Sequence, residues 1–207
     1  MRVKSTSTLI AIAALLVAAS GHASVQAGVS STPATGQANN PSKVDVKAII
    51  DAYEDSGMTA VRMLVRGGAD INAVHPGDGT VLMVAAKNGD LSAVNELLIL
   101  GADVTVSSPD DGTALIAAAG AGHLEVVRSL VAAGAAIDAV VRYDETALIT
   151  ACREGRFDVV KYLVAEKADV NHGVTTPSGQ RRTPLNQANT QDIRKFLVAH
   201  GARDTRQ

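Results

Sequence analysis

The sequence has no tryptophan and only 2% aromatic residues, although 46% of its 207 positions are hydrophobic. A broad core built around large rings is therefore excluded. Alanine carries much of the apolar fraction, which suits thin helices at close approach, stacked so that each layer is buried on its neighbours. One cysteine, Cys152, is present, so no disulfide framework can form within the chain. Lys and Arg number 19 against 21 Asp and Glu, and no basic stripe is interleaved with aromatics. The footprint of nucleic-acid binding is missing. His22, His75, His123, His172 and His200 are spread along the chain, and none falls in H-E-x-x-H or another metal-ligand spacing. G-x-S-x-G, a Walker-type phosphate loop and G-x-G-x-x-G are missing too. The expectation is a chain that is not an enzyme and uses no cofactor and no metal.

The one long apolar run is Leu9 to Ala19, preceded by Arg2 and Lys4 and followed by small residues up to Ala27. Eleven residues span about 16 Å as a helix, against the roughly 30 Å of a bilayer core. The pattern is that of a cleavable targeting segment over residues 1–23, cut after Ala23 or alternatively after Ala27. An uncleaved anchor is the weaker alternative. The alanine-rich core resembles a bacterial export signal, and no cysteine lies near the cleavage region to accept a lipid. Loss of Arg2 and Lys4 takes the net charge from −2 to about −4. The expected address is the periplasm or the outside of the cell, with no stable membrane insertion after cleavage. Residues 24–41 carry no charge and many turn formers, as a flexible linker does.

What dominates the remainder is repetition. Thr80, Thr113 and Thr146 are 33 residues apart, as are Gly89, Gly122 and Gly155, and Gly68, Gly101 and Gly134. A fixed period in the range of about 20–50 residues marks a stacked-repeat architecture. Each copy opens on Asp-Gly-Thr or Asp-Glu-Thr, whose Thr is suited to cap a short alanine-rich helix. The spacing predicts first helices over Val81–Asn88, Ala114–Ala121 and Ala147–Glu154. Second helices are predicted over Leu91–Leu100, Leu124–Ala133 and Phe157–Glu166, with Leu124, Val127, Leu130 and Val131 inward and Glu125, Arg128 and Ser129 outward. A degenerate copy precedes these, with Val44, Ala48, Ile49 and Ala52 at helical spacing, a break at Gly57 and a second helix over Thr59–Arg66. From Thr146 to Thr183 is 37 residues, so one connection is lengthened. In the shortened final copy Ile193, Phe196 and Leu197 are expected inward, Arg194 and Lys195 outward.

The run T-x-L-x-x-A-A, a glycine, an apolar helix and G-A-D-x-N-A resembles the ankyrin repeat, whose mark is T-P-L-H-x-A at a spacing of about 33. Thr183-Pro184-Leu185 keeps the proline of that mark, and Gly122-His123 keeps its glycine–histidine step. The resemblance covers about residues 43–202. It implies an all-α ankyrin-repeat solenoid of about five helix-turn-helix repeats joined by short β-turn loops. Residues 42–77 form an N-terminal capping repeat, 78–110 and 111–143 regular repeats, 144–179 a repeat with a loop insertion, 180–203 a C-terminal capping repeat and 204–207 a tail. Cys152 stands where other copies carry Ala86 and Ala119, so it is read as a small core residue. His123 is read as a turn hydrogen-bonder, and Asp78, Asp110, Asp111, Asp144 and Glu145 as turn and cap chemistry rather than a calcium ladder.

The resemblance further implies that loop tips and exposed first-helix residues line a concave face that binds another protein. On that face the candidate partner-binding residues are Lys87, Asp110, Arg142, Tyr143, Arg153, Arg181 and Arg182. The cluster around Arg142, Tyr143 and Arg153 is favoured because Arg and Tyr are often energetic at interfaces. The expected function is a monomeric, non-catalytic protein–protein interaction scaffold. The alternative is an inhibitor or immunity protein that blocks a specific enzyme or toxin.

Overall fold

The computed structural model describes residues 46–109, 112–141 and 145–203. The expected targeting segment, the linker and the C-terminal tail over 204–207 lie outside the described residues. Within them the chain forms helix pairs: α1 (Val46–Ser56) with α2 (Met58–Arg66), α3 (Val81–Asn88) with α4 (Leu91–Ile99), α5 (Ala114–Ala121) with α6 (Leu124–Ala132), α7 (Ala147–Arg153) with α8 (Phe157–Ala165), and α9 (Pro184–Gln187) with α10 (Gln191–Ala199). Each first helix packs on the first helices before and after it, each second helix on its own partner, and α4, α6, α8 and α10 on one another in a row, with α2 linked to α4 by the Arg62–Glu96 ion pair. Two antiparallel strand pairs of two residues each stand in the connections, β1 (Ser107–Ser108) with β2 (Gly112–Thr113) and β3 (Val174–Thr175) with β4 (Arg181–Arg182). A single antiparallel bridge joins His75 to Gly79 in the connection before α3.

Local chemistry explains where each first helix begins. The Thr hydroxyl at each N-cap accepts a backbone N–H three residues on: Thr80 from Met83 at 3.3 Å, and Thr113, Thr146 and Thr183 from Ile116, Ile149 and Asn186 at 3.2 Å. Each such bond satisfies a donor that the helix geometry leaves orphaned, worth about 1 kcal/mol. In the last copy Asn186 reaches back to the Thr183 N–H at 2.9 Å, completing a reciprocal cap.

The core repeats as the sequence does. Leu82, Leu115 and Leu148, with Val94, Val127 and Val160 and with Leu97, Leu130 and Leu163, are almost fully buried. Ala85, Ala118 and Ala151 occupy the contact between first helices with no exposed surface, which is where a larger side chain would force the row apart. The stripe on α6 is shifted from the expected one: Val126 is fully buried with Val127 and Leu130, while Leu124 and Val131 are only half-buried. The second helix is covered by neighbours on both sides along the row, so its apolar face is wider than a two-layer stripe. In α10 Ile193 and Leu197 are buried and Phe196 half-buried, edge-on to Phe157 with ring centroids 5.6 Å apart. Arg194 does not simply face out: its guanidinium donates to the Ala188 carbonyl at 2.8 Å and so ties α10 to the end of α9.

Cys152 has no exposed surface, as expected of a residue standing in for alanine, and burial pushes its thiol up to about 12 from 9.0. Two outcomes follow. Native protein should resist thiol reagents, with labelling that tracks global unfolding. Above pH 9 the unfolded chain releases the thiol proton and the folded chain keeps it, so this group lowers stability by about 1.4 kcal/mol per pH unit until pH 12. Cys152→Ala should flatten the alkaline limb of a stability–pH curve by that slope; an unchanged limb would show that the thiol is solvated.

A second row of hydrogen bonds links the connections. Asn72 accepts the Asp103 N–H at 2.7 Å and donates to the Gly101 carbonyl at 3.5 Å. Asn171 does the same further on, accepting from Arg203 at 2.9 Å and donating to Gly201 at 3.0 Å. The intervening positions are Thr105 and Asp138. Thr105 turns back on Asp103 of its own repeat at 2.7 Å, and the Asp138 carboxylate accepts the Asp169 N–H at 3.1 Å but has no N–H to donate. Thr105→Asn and Asp138→Asn should therefore each stabilise the stack by about 1 kcal/mol, the net worth of one added hydrogen bond. That corresponds to about 2–4 °C in Tm, read by circular dichroism. A neutral or negative shift for both would mean that this row contributes nothing to the stack.

Candidate binding face

Outward positions of the first helices fall at i, i+3 and i+4 and therefore share one face. In α1 they are Asp51, Glu54 and Asp55; in α3 Val84, Lys87 and Asn88; in α5 Ala117, Gly120 and Ala121; in α7 Arg153 and Glu154, while Thr150 at the corresponding place is buried against Gly120. The face is acidic on α1, mixed on α3, small and uncharged on α5, and charged again on α7. It continues into the lengthened β3–β4 hairpin, where Arg181 and Arg182 stand.

Arg153 and Arg182 are brought together by a residue read from sequence as turn chemistry. Glu145 is 3% exposed, and its two carboxylate oxygens are divided between them: Oε1 takes Nη1 of Arg182 at 2.7 Å, and Oε2 takes Nη1 of Arg153. The Arg153 Nε also reaches Glu154 at 3.1 Å. Glu145 occupies the place of Gly79 and Gly112 in the other openings, and its φ is not positive as theirs are. A carboxylate shielded from water needs cationic partners, and two arginines of adjacent repeats supply them. A charged residue where two other copies carry glycine was the available signal, and only the fold pairs it with residues eight and 37 positions away.

Lys87 is exposed on α3, and Arg181 is exposed on β4 with its guanidinium lying over Gly173. Asp110, Arg142 and Tyr143 lie outside the described residues. His123 differs from its expected role as well. Its Nε2 meets the Lys87 carbonyl of the preceding repeat at 3.2 Å, so it joins two repeats rather than closing its own turn. Arg156, one period later, does likewise by donating to the Gly120 carbonyl at 2.9 Å. His75 pairs with Asp78 at 2.9 Å in the connection that overhangs α3.

Among the described residues no group of three or more His, Cys, Asp or Glu is placed to hold a metal ion, and no helix is long and apolar enough to cross a membrane. The geometry defines a class: a helical repeat solenoid with a continuous side-chain-bearing face. The family model for ankyrin repeats matches the chain in three overlapping copies, over residues 48–140, 82–174 and 141–207. The chain belongs to the ankyrin-repeat family, whose members are generally non-enzymatic protein-binding scaffolds. No curated protein matches it significantly.

Proposed function

We propose that this chain is an exported, monomeric, non-catalytic scaffold that grips a single protein partner through the face formed by its first helices and connecting loops, in the periplasm or outside the cell. One observation supports this reading above the others. Inward positions repeat from copy to copy, Leu82, Leu115 and Leu148 or Ala85, Ala118 and Ala151, whereas the outward positions diverge: Lys87, Gly120 and Arg153, or Asn88, Ala121 and Glu154. Stacking alone explains the first set. It makes no demand on the second, which is free to match a partner. Lys87, Arg181 and the loop residues Asp110, Arg142 and Tyr143 are the proposed contacts. Arg153 and Arg182 act through the Glu145 network that holds the face in shape.

The test is affinity capture from the envelope fraction with wild type and an Arg142→Ala/Tyr143→Ala variant. Wild type should retain one partner, and the variant should lose it with thermal unfolding unchanged. Retention by both would remove those loop residues from the interface. The exported protein should carry an N-terminus at Ser24 or Gly28; recovery only from the cytoplasm with Met1 intact would overturn the address.

A further inference from the structure

The first-helix face contains a recess of about 160 Å³ between α1, α3 and α5, partly roofed by the connection at Gly77 and Asp78. Its lining combines apolar surface from Met83, Val84 and Ala117 with two acids, Glu54 and Asp78, and one cation, Lys87. Asp51 stands one turn before Glu54 on the same side of α1 and adds negative charge. Pockets that take whole small molecules run to roughly 300–1,000 Å³, so this one is sized for a single side chain. Its chemistry narrows the occupant further. An acidic side chain would meet two carboxylates of like sign. A purely apolar one would strip water from them without replacement. An arginine or lysine can lay its aliphatic stem on Val84 and Ala117 and place its charged head between Glu54 and the Asp78 carboxylate, whose Oδ2 is already engaged by His75 and whose Oδ1 is left to the newcomer.

We infer that this recess takes an arginine or lysine side chain of the partner polypeptide, so that the partner presents a basic residue to the first three repeats. The inference rests on the reading of this face as the binding face and specifies what the partner must carry there. Lys87 opposes the incoming charge, which gives the site a sign that a merely structural role would not show.

The probe is N-acetyl-arginine methylamide, titrated into the 15N-labelled full chain and followed by amide shifts. Saturable shifts should appear at Gly77–Thr80, Val84 and Ala117, with a dissociation constant in roughly the millimolar range expected of so small a ligand. N-acetyl-glutamate methylamide should give none. Glu54→Gln should weaken the arginine probe about tenfold, and Lys87→Gln should tighten it about threefold. Equal shifts with both probes, or an arginine affinity unmoved by Glu54→Gln and Lys87→Gln, would overturn the inference. A captured partner whose binding is indifferent to Glu54→Lys would also overturn it and leave the scaffold reading standing. If arginine binds as stated while no partner is captured, the recess stands and the scaffold reading fails.

Discussion

Replacing Arg153 and Arg182 together by alanine should destabilise the chain by about 2–4 kcal/mol, more than the two single changes combined. Either single change leaves Glu145 one cationic partner and should cost about 1 kcal/mol. The double change leaves a carboxylate 3% exposed with neither of its guanidinium partners. Breaking a fully buried ion pair typically costs about 3–5 kcal/mol. The arginines are 43% and 33% exposed, so water recovers part of that and the lower figure applies. Adding Glu145→Gly to the double variant should restore most of the loss, because it removes the stranded charge and returns the opening to the Asp-Gly-Thr form of the two preceding repeats. Equilibrium denaturation of these four variants and the wild type decides it. If the double loss equals the sum of the singles and Glu145→Gly rescues nothing, the carboxylate is solvated and the network is ornamental. Because Glu145 and Arg153 belong to one repeat and Arg182 to the next, amide exchange in the double variant should rise first in α9 and α10.

Gly89→Ala should cost about 3 kcal/mol or more. Two effects add there. The residue has φ +75°, a region in which a side chain costs about 1–2 kcal/mol. A Cβ would also lie 2.5 Å from Nδ1 of His123, inside the ring of the following repeat. Gly134 separates the two: its φ is +94°, but nothing lies within 4 Å of the added carbon. Gly134→Ala should therefore show the conformational cost alone. The excess at Gly89 should vanish when His123 is first replaced by alanine. If Gly89→Ala and Gly134→Ala cost the same, the histidine yields freely and does not bind the repeats together. Arg156 sits over Gly122 and Asn189 over Gly155 in the same way, so three successive seams are built from a glycine and a polar side chain one period plus one residue later.

The repeat frame was legible because its determinants are local. Thr80, Thr113, Thr146 and Thr183 cap helices wherever they precede an apolar run, and Gly89, Gly122 and Gly155 follow the ends of the first three; neither needs a distant partner. The expected second helices ended one residue too late at Leu100, Ala133 and Glu166, positions that close the turn beyond the last helical residue. Inward residues were legible to the extent that one helical stripe describes them. Val126 was missed because this helix is packed by neighbouring second helices on both sides as well as by its own partner, which widens the buried face. The candidate face was legible only in part. Position along the period places Lys87 and Arg153 on one side, but nothing in the period says that Arg153 is already engaged by Glu145, or that His123 and Arg156 serve the seams.

By itself the sequence determined the period, the helix caps, the alanine-lined stacking surface and the absence of any familiar catalytic or metal-ligand motif, because each depends on residues within one repeat. Only the tertiary structure decided which side chains meet: Arg153 and Arg182 of the next repeat on Glu145, the histidine over Gly89, the asparagines at Asn72 and Asn171, and the recess between α1, α3 and α5. Apart from Arg153, eight residues from Glu145, the hydrogen bonds and ion pairs among them join residues 29 to 37 positions apart, and their geometry exists only once the helix pairs are stacked.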